Sequence, residues 1–380
     1  MANKKNQHFV PQSFFRNFSH NRPYINLLIK GNGEIIHNAS IKGQCSKPYF
    51  YGNSKSEEAI SALESHVSII NDLSKVNTDK DFQIIVENPH FSRIYMGILF
   101  QRNRTELSAF KSKQSFDGLE LELFKEYLKH APNISDDVRQ NIDLLTPNTF
   151  KINRPYKHYI GATLSCLPNL TYYLMDLGIH ILKNKTSIPF IFSDSPVVFY
   201  NQYYRNVKER GVLGLTTPGL MIFYPISPDT VLLLLDKSKY KCPWKSDGVY
   251  EITGEFDIKH INKLQMYNAL KTIYFPDSMP DKTLLRYWKQ ERTNLKPPSR
   301  GVAKRQLVVD GVLENDVMHS MECQLPYVLK LSFIESDVLS DFQYKPHKRN
   351  QAIHELVKEL EEGKSEDALK NFENKILYSQ

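Results

Sequence analysis

Three short apolar runs in the second half of the chain limit its fold more than any other feature. They read SIPFIFSDSPVVFYN at 187–201, GLMIFYPIS at 219–227 and TVLLLLD at 230–236. They are rich in β-branched, aromatic and aliphatic residues and are punctuated by Pro and Gly, a composition typical of strands. The sequence therefore predicts a strand-rich second half, with further strands near 306–313 and 324–334.

The first half of the chain has a different texture. The segment INLLIKGNGEIIHNAS consists of two extended runs around Gly31-Asn32-Gly33, which predicts a hairpin. Helical periodicity follows in 53–73, where Ser54 and Glu57 form a predicted capping box, and a second helix is predicted from Asn88-Pro89 onward. Further helices are predicted at 119–131, 135–145, 158–182 and, with a strand after it, within 257–275.

Together these patterns predict an α+β fold. It would have an N-terminal hairpin, a helix-rich middle, a strand-rich second half and a C-terminal helical hairpin, with Gly363 ending one helix and Ser365 capping the next. The Lys-Pro-Pro-Ser segment at 296–299 is the best candidate linker. We expect a core domain over 1–280, and a basic helix, linker and C-terminal extension over 281–380.

Composition argues against several classes of protein. With 380 residues, 41% of them hydrophobic, the chain has the composition of a folded globular protein rather than a disordered one. No apolar run approaches the roughly 18 residues of a membrane span. The start, MANKKNQHF, lacks the apolar region of a secretory signal. The four cysteines are scattered and form no CxxC pair, which favours free thiols in a reducing cytoplasm.

Positive charge is concentrated in one segment. The chain has a net charge of +7, and residues 282–305 alone hold eight Lys and Arg against one acid, Glu291. Leucines and Trp288 share one face of a predicted helix there, and basic residues tend toward the other. Basic residues beside Tyr287 and Trp288 suit phosphate contact and base stacking, with a solvated helix surface as the alternative. The predicted nucleic-acid-binding residues are Lys282, Arg286, Lys289, Arg292, Arg300, Lys304 and Arg305.

The start of the chain, KNQHFVPQSFFRNFS, packs a histidine, a proline and an arginine among bulky apolar side chains. His8 followed by Pro11 is similar to the first motif of HNH nucleases, in which the histidine is a general base beside a metal ion. That chemistry also needs a metal ligand just upstream, where this chain has Gln7, and a helix downstream, where a hairpin is predicted. The alternative is structural, with His8 capping a turn and its ring partly buried.

A polar stripe interrupts the predicted helix after Pro89. Gly97, Gln101, Arg104 and Ser108 follow a helical spacing, which predicts either a solvated face or the wall of a polar cleft. If Arg104 faces the core, it needs a carboxylate or phosphate partner.

A second polar segment, Ser193-Asp194-Ser195-Pro196, lies where one predicted strand ends and the next begins. Loops held by a rigid sheet are common positions for sites. Asp194 is therefore a candidate metal ligand, base, or partner of Arg104 or Arg16. An Asx turn, in which its side chain bonds its own backbone, is the structural alternative.

In their order along the chain, these features resemble a bacterial family of uncharacterised proteins, domain of unknown function 4238. Its members begin with a pattern like Q-H-x-V-P-Q-x-x-L-R-x-F, which this chain matches with Phe15 at the Leu position. The family segment F-I-T-S-D-N-P-V is matched with Phe192 for Thr and Ser195 for Asn. Further matches lie at Phe50, Tyr51, Glu57, Glu64, Gln101, Arg104, Thr105, Gly219, Pro225, Ser227, Pro228, Asp236, Tyr240, Asn262, Gln265 and Ala269. The resemblance covers about 1–280 and implies a fold and site positions, but no activity.

These observations lead to the hypothesis of a cytoplasmic bacterial enzyme that acts on RNA or DNA, a nuclease-like effector of phage defence or a toxin. In it His8 is the general base, Asp194 orients that base or binds Mg²⁺ or Mn²⁺, and Arg16 and Arg104 hold a phosphate. The predicted site residues are His8, Asp194 and Arg104 for catalysis, with Gln12, Arg16, Gln101, Ser193 and Ser195 for substrate binding. A protein partner or a homo-oligomer is also compatible with the sequence, and no membrane association is expected.

Two alternatives stay open at this point. One is a non-enzymatic regulator that binds nucleic acid or protein, in which an Arg16–Asp194 ion pair locks the terminus into the core. The other is a sensor of a nucleotide or small molecule that uses the same polar cleft. The sequence contains no Walker-type loop, HExxH, G-x-S-x-G or dinucleotide fingerprint, so it offers no support for the enzyme classes that depend on them.

Overall fold

A computed structural model of the chain describes residues 6–146, 154–207, 211–244, 246–309, 312–339 and 348–351, with 353, 355 and 357. Residues 303–309 and 312–317 are described by their backbone alone. The described helices are α1 (Gln12–Phe18), α2 (Ser54–His66), α3 (Asp79–Val86), α4 (Arg93–Asn103), α5 (Glu106–His130), α6 (Asp136–Asn141), α7 (Tyr156–Ser165), α8 (Leu167–Thr171), α9 (Glu255–Asn268) and α10 (Asp281–Glu291). The described strands are β1 (Asn6–His8), β2 (Tyr24–Ile29), β3 (Ile35–Ser40), β4 (Ser46–Pro48), β5 (Gly178–Asn184), β6 (Phe192–Ser193), β7 (Val198–Asn201), β8 (Leu220–Ser227), β9 (Thr230–Leu235), β10 (Gly248–Ile252), β11 (Thr272–Phe275), β12 (Arg300–Val309) and β13 (Val312–Glu322). Helices fill the middle and strands the second half, which confirms the predicted α+β class.

A five-stranded sheet is built from the apolar runs of the second half. Its order is β10-β5-β9-β8-β7, antiparallel except for the parallel pair β10 and β5. Successive residues of β8 point to opposite faces. Ile222 packs into the apolar cluster that includes α1 and α4, and Phe223 packs into a second cluster with Ile261 of α9. Because both faces are covered, these strands read as continuous apolar runs.

The predicted N-terminal hairpin is confirmed and forms part of a four-stranded sheet of order β3-β2-β11-β6. The turn requires glycine at position 33, because φ there is +74°. A Cβ atom there would lie 2.6 Å from the ring of Trp288. The amide of Gly33 donates to the carbonyl of Ile29 at 2.8 Å and closes the turn.

The first described residues are tied into the core by aromatic packing. Phe14, Phe15 and Phe18 of α1 all contact Phe192 of β6, with ring centroids 4.5 to 5.2 Å apart. Phe192 also stacks on Tyr274 of β11 at 5.0 Å. Such pairs stabilise beyond the area they bury, by about 0.5–1.5 kcal/mol each. The amino-terminal segment is therefore part of the core.

The sequence predicted one continuous helix from Asn88-Pro89 through the polar stripe, and this prediction is wrong. Helix α4 begins at Arg93, and Arg104 is its C-cap. The side chain of Thr105 then accepts a hydrogen bond from the amide of Ser108 and starts α5 as its N-cap. Thr105 interrupts the helical backbone because it caps the next helix, although the apolar periodicity of the sequence continues past it. Arg104 therefore lies at a corner between two helices.

Three smaller predictions also differ from the structure. Helix α2 is capped by Asn53, whose side chain accepts from the amide of Ser56, rather than by Ser54. The helical prediction for 158–182 fails after α8, because β5 begins at Gly178.

The described backbone at 324–334 is irregular rather than a strand. There the amide of Leu329 donates to the hydroxyl of Tyr200, and the amide of Ser332 donates to Asp257. Side chains thus take backbone groups that a strand ladder would use.

Helix α10 is amphipathic, as its sequence predicted. Leu284, Tyr287 and Trp288 are buried against Leu28 and Met266, and the indole of Trp288 donates to the carbonyl of Lys30 at 2.8 Å. The domain boundary at 280 and the linker at 296–299 stay predictions. The predicted C-terminal helical hairpin, around Gly363 and Ser365, lies outside the described residues. None of the described helices has the length and apolar content needed to cross a bilayer.

Candidate functional site

Strand β1 and helix α1 place His8 beside an open cavity. Strand β1 pairs antiparallel with β4, with His8 opposite Ser46. Two residues after Phe9, Pro11 occupies the N-cap position and starts α1 in the same region. The strand and the helix therefore present His8, Gln12 and Arg16 toward one surface.

The imidazole of His8 has two competing partners at Nε2. This atom lies 3.2 Å from the carbonyl oxygen of Lys42 and 3.4 Å from the amide nitrogen of Gln12. A carbonyl only accepts and an amide nitrogen only donates, so a neutral ring satisfies one or the other. Donation to Lys42 leaves Nδ1 as the basic nitrogen, whereas a bond from Gln12 leaves Nε2 as the acceptor. The tautomer of His8 therefore depends on which of these two partners its Nε2 bonds.

The cavity has a volume of about 500 Å³. Arg16 and Lys42 are exposed at it, whereas the Arg104 guanidinium lies at its inner wall. Glu57 and Glu64 of α2 line the opposite side. The described residues that line it are Asn6, His8, Pro11, Gln12, Ser13, Arg16, Lys42, Glu57, Ile60, Ser61, Glu64 and Arg104. Three cations thus face two carboxylates, which leaves a small positive excess before His8 is counted.

Arg104 is only 1% exposed, and each of its nitrogens donates to a protein oxygen. Nε donates to the hydroxyl of Tyr51 at 3.1 Å, one terminal nitrogen donates to Glu64 at 2.5 Å, and the other donates to the carbonyl of His8 at 2.7 Å. The sequence predicted a carboxylate or phosphate partner for a buried Arg104, and Glu64 is that carboxylate. Burial raises the pKa of Tyr51 to about 12, against the opposing effect of Arg104. Arg104 therefore fixes the backbone that carries His8.

Gln101 has a similar supporting position. Its side-chain nitrogen donates to the carbonyl of Phe9 at 3.2 Å, and the residue is buried. The side-chain oxygen of Gln7 accepts from the amide of Tyr51 at 2.6 Å. Sequence reasoning did not place Gln7 and Tyr51 at the site, although both lie in the quoted motifs. These side chains hold the terminus through hydrogen bonds with backbone groups. A pattern of residue types does not show which backbone group a side chain will bond.

Glu57, Glu64 and Lys42 were also missed as cavity residues. The two glutamates are seven residues apart on α2, with Ile60 between them, so they share one face of the helix. That spacing could have indicated two carboxylates on one wall. Lys42 lies in a short turn after β3 and carried no comparable signal.

The structure does not bring Asp194 to the cavity with His8 and Arg104. Asp194 is not among the described residues that line it. Its two carboxylate oxygens accept hydrogen bonds from the backbone amides of Leu270, Lys271 and Thr272 at 2.7 to 3.1 Å. Burial raises the pKa of Asp194 to about 6, although the three amides oppose this shift. Asp194 thus joins the loop after β6 to the connection between α9 and β11.

Its neighbours Ser193 and Ser195 are also enclosed. The hydroxyl of Ser193 donates to the carbonyl of Ser195 at 2.9 Å and lies 3.1 Å from Gln265. The Ser195 hydroxyl lies 3.2 Å from that of Thr105. Both serines are buried and neither is a described lining residue of the His8 cavity. The proposed Arg16–Asp194 ion pair is not formed, because Arg16 is exposed and Asp194 is buried among backbone amides.

The basic segment divides into two parts. Lys282, Arg286, Lys289 and Arg292 are exposed on α10. The rings of Tyr287 and Trp288 are buried in the core, so the stacking role that the sequence suggested for them does not fit the structure. Arg300 instead approaches Glu322 of β13, at 3.5 Å. The side chains of Lys304 and Arg305 lie outside the described residues.

The sequence predicted Asp194 as a metal ligand. Both of its oxygens accept amide hydrogens. In the part of the chain that the structure describes, no group of three or more His, Cys, Asp or Glu has an arrangement that could hold a metal ion.

Comparison with known proteins gives one result. No curated protein and no solved structure matches the chain. The family model described as "Protein of unknown function (DUF4238)" matches residues 6–279, from β1 to the start of the segment before α10. This range contains His8, Arg16, Arg104 and Asp194, and it ends before β12 and β13. The chain therefore belongs to the DUF4238 family.

Proposed function

We propose that this protein is a nuclease-like enzyme acting on nucleic acid, with His8 as its general base. The observation that carries the proposal is that His8, Gln12 and Arg16 face one open cavity whose charge is slightly positive. Imidazole is the side chain best suited to proton transfer near neutral pH. Exposed Arg16 and Lys42 suit a phosphate group, because both are charged donors.

The reaction can be written with these groups alone. His8 takes the proton of an attacking hydroxyl, either water or the 2′-hydroxyl of RNA, as that oxygen bonds to phosphorus. The bond from phosphorus to the leaving oxygen then breaks, and protonated His8 or solvent returns a proton to that oxygen. Arg16 and Lys42 would stabilise the charge on the phosphate, and Gln12 would orient the ring. A divalent metal, Mg²⁺ or Mn²⁺, stays a prediction, and this step does not depend on it.

The setting of the enzyme is also part of the proposal. The exposed basic residues of α10, from Lys282 to Arg292, would contact the backbone of RNA or DNA outside the cavity. The four cysteines are free, which suits the cytoplasm. We propose a bacterial effector of antiviral defence or a toxin, acting on a nucleic acid of the cell or the phage.

The test is a cleavage assay on total RNA, tRNA and plasmid DNA, each with Mg²⁺, Mn²⁺ or EDTA. We expect the wild type to cleave at least one substrate and His8→Ala to lose at least about a hundredfold in rate, the usual contribution of a general base. His20→Asn is the matched control. His20 is exposed just after α1 with a φ of +50°, a conformation that asparagine tolerates. Equal activity of wild type and His8→Ala on every substrate would refute the catalytic role.

A second candidate is a non-enzymatic regulator that binds nucleic acid or protein. It is favoured by the bonding of Arg104 and Gln101, whose donors are directed at protein oxygens. In this case the motif only fixes the terminus. The measurement is affinity for labelled RNA and DNA against salt concentration: binding without cleavage, weakening steeply with salt, supports the regulator. A flat salt response would remove the role of the α10 surface in either candidate.

A further inference from the structure

A second cavity, of about 450 Å³, lies where the hairpin β12–β13 meets the family domain. Its walls come from α4, α7, β7 and the two ends of the hairpin, and it is lined by Arg102, Asn103, Thr163, Phe199, Arg300 and Glu322 among others. Exposed residues, including Cys166 and His319, lie at its edge, so it opens to solvent. None of its described lining residues is shared with the His8 cavity.

Among the described residues, three cations meet a single carboxylate at the wall of this cavity, with Arg102, Arg300 and Glu322 lining it and Lys111 behind them. Glu322 accepts from Lys111 at 2.6 Å and from Arg102, and it lies 3.5 Å from Arg300. The side chains of Arg102, Lys111 and Glu322 are all at most 15% exposed. The group therefore has two positive charges in excess, and three of its four side chains are largely shielded from water.

The pKa values reflect this excess. Burial lowers the pKa of Lys111 to about 8, and the like charges of Arg102 and Arg300 add to that effect. Burial would raise the pKa of Glu322, but the three surrounding cations hold it well below its usual range. Uncompensated buried charge is costly unless a counter-charge is supplied. An anion entering the cavity would supply it.

Arg300 is the member of the group that is most open to a ligand. Its side chain lines the cavity and is 27% exposed, and its guanidinium lies 3.5 Å from Glu322, the longest of the three ion pairs. Its backbone amide donates to the side chain of Gln114 at 2.9 Å, which fixes the start of β12. A guanidinium suits phosphate oxygens in particular.

We propose that this cavity binds a small organic phosphate of nucleotide size. Arg102 and Arg300 would hold the phosphate, and Asn103 and Thr163 are polar lining residues near enough to contact the rest of the ligand. Leu99, together with other aliphatic side chains of the lining, offers an apolar wall for a base or sugar. The volume falls in the range of about 300–1,000 Å³ of small-molecule sites.

The position of the site gives it a role distinct from the proposed cleavage. Residues 300–322 lie outside the family match of 6–279, whereas Arg102 and Phe199 lie inside it. The Arg102 guanidinium stacks 3.9 Å above the centre of the Phe199 ring, which holds it toward the hairpin. A ligand here would therefore bridge the family domain and the C-terminal extension. The inference does not depend on the catalytic role of His8.

Titration calorimetry with AMP, inorganic phosphate and adenosine tests the proposal. We expect saturable binding of AMP, weaker binding of phosphate and none of adenosine. Arg300→Gln should weaken AMP binding at least about tenfold, the effect of one charge-assisted contact. We choose Arg300 for this test because its ion pair with Glu322 is the longest of the three. Arg22→Gln is the matched control and should bind as the wild type does, because the Arg22 side chain is 53% exposed and lines neither cavity.

Glu322→Gln gives the opposite expectation. It removes the one negative charge of the group and should tighten AMP binding, whereas a purely structural role of the group predicts that both variants weaken it. Melting curves of each variant establish that it is folded. AMP should also slow the reaction of Cys166 with a maleimide, measured on its peptide by mass spectrometry, because Cys166 lines the cavity.

Three outcomes would overturn the proposal. They are no saturable binding of AMP or phosphate by the wild type, unchanged affinity in Arg300→Gln, or loss of AMP binding in Arg16→Ala with Arg300→Gln unaffected. The last result would place the phosphate in the His8 cavity. Loss of nucleic-acid cleavage in His8→Ala, with AMP binding intact, would leave this inference standing.

Discussion

Replacing Arg104 by lysine separates a structural role of this residue from a role in binding substrate. Arg104 donates to three protein oxygens, those of Tyr51, Glu64 and His8. A lysine has one nitrogen and can satisfy only part of this set, since the three acceptors were placed for a planar fork. With about 1.5–3 kcal/mol for each charge-assisted bond, losing two of them lowers the free energy of unfolding by about 3–6 kcal/mol. This is a large part of the usual 5–15 kcal/mol of a domain, so about half the stability is at stake.

The assay is urea denaturation followed by circular dichroism at pH 7.5, with Arg286→Lys as the control. Arg286 is exposed on α10, so its replacement should change the free energy of unfolding by less than about 0.5 kcal/mol. Glu64→Gln gives a second comparison. The Glu64 side chain is 38% exposed, so part of its bond to Arg104 is shared with water and its loss should cost less than that of Arg104.

A loss below about 1 kcal/mol in Arg104→Lys would refute the structural reasoning, because no two of the three bonds could then be contributing. If cleavage or phosphate binding were lost at unchanged stability, Arg104 would be a substrate contact, as the sequence suggested. If stability falls and His8 retains its activity in the folded fraction, the residue acts by holding β1 in place.

Three further changes have expected outcomes of their own. Asp194→Ala takes the shared carboxylate acceptor away from three backbone amides and should lower the free energy of unfolding by about 1–3 kcal/mol, measured in urea; an unchanged midpoint would refute the anchoring role. Burial lowers the pKa of Lys30 to about 8 against the opposing charge of Asp194, so the folded state releases this proton before the unfolded chain does. Its contribution to stability should therefore rise as pH increases from about 8 to about 10.4, by up to about 3 kcal/mol. In Lys30→Met the slope should be smaller by this amount, and Lys111, whose pKa is also lowered to about 8, should account for what is left. Gly33→Ala combines a left-handed φ with a clash against Trp288 and should cost about 2–4 kcal/mol in a thermal melt; a loss under about 0.5 kcal/mol would contradict the turn geometry.

The sequence predicted those parts of the fold that rest on local chemistry. The hairpin around Gly31-Asn32-Gly33 followed from glycine's freedom to adopt positive φ, and the burial of Trp288 followed from helical periodicity. The predictions failed where a side chain took over a backbone bond. Thr105 ended the helix that carried Arg104, and Asp257 and Tyr200 bound the amides of a segment that alternates like a strand. The bonds of Asp257 and Tyr200 join residues that are distant in sequence, so no local pattern contains them, whereas Thr105 bonds the amide of Ser108 three residues on and is a local N-cap signal.

The sequence predicted the members of the candidate site better than it predicted their arrangement in space. Asp194 and His8 both lie beside apolar runs, and the sequence offered no means of telling that one faces a cavity and the other three amides. The reason is that a carboxylate in a loop binds a metal, a cation or the backbone with the same local sequence. Asp194 binds backbone amides because the turn after α9, which is far along the chain, lies beside it.

Two groups of polar residues around the amino-terminal motif have different roles. Arg104, Gln101 and Gln7 make hydrogen bonds that hold the backbone of β1 and of the residues beside it. This costs the chain buried polar groups, but it holds the terminus where termini ordinarily fray. Gln12 and Arg16 make the opposite use of their polarity, since they face the cavity from α1. Because the first group fixes the backbone of His8, the second can present its side chains to a ligand without loss of position, which is the arrangement that a preorganised site needs.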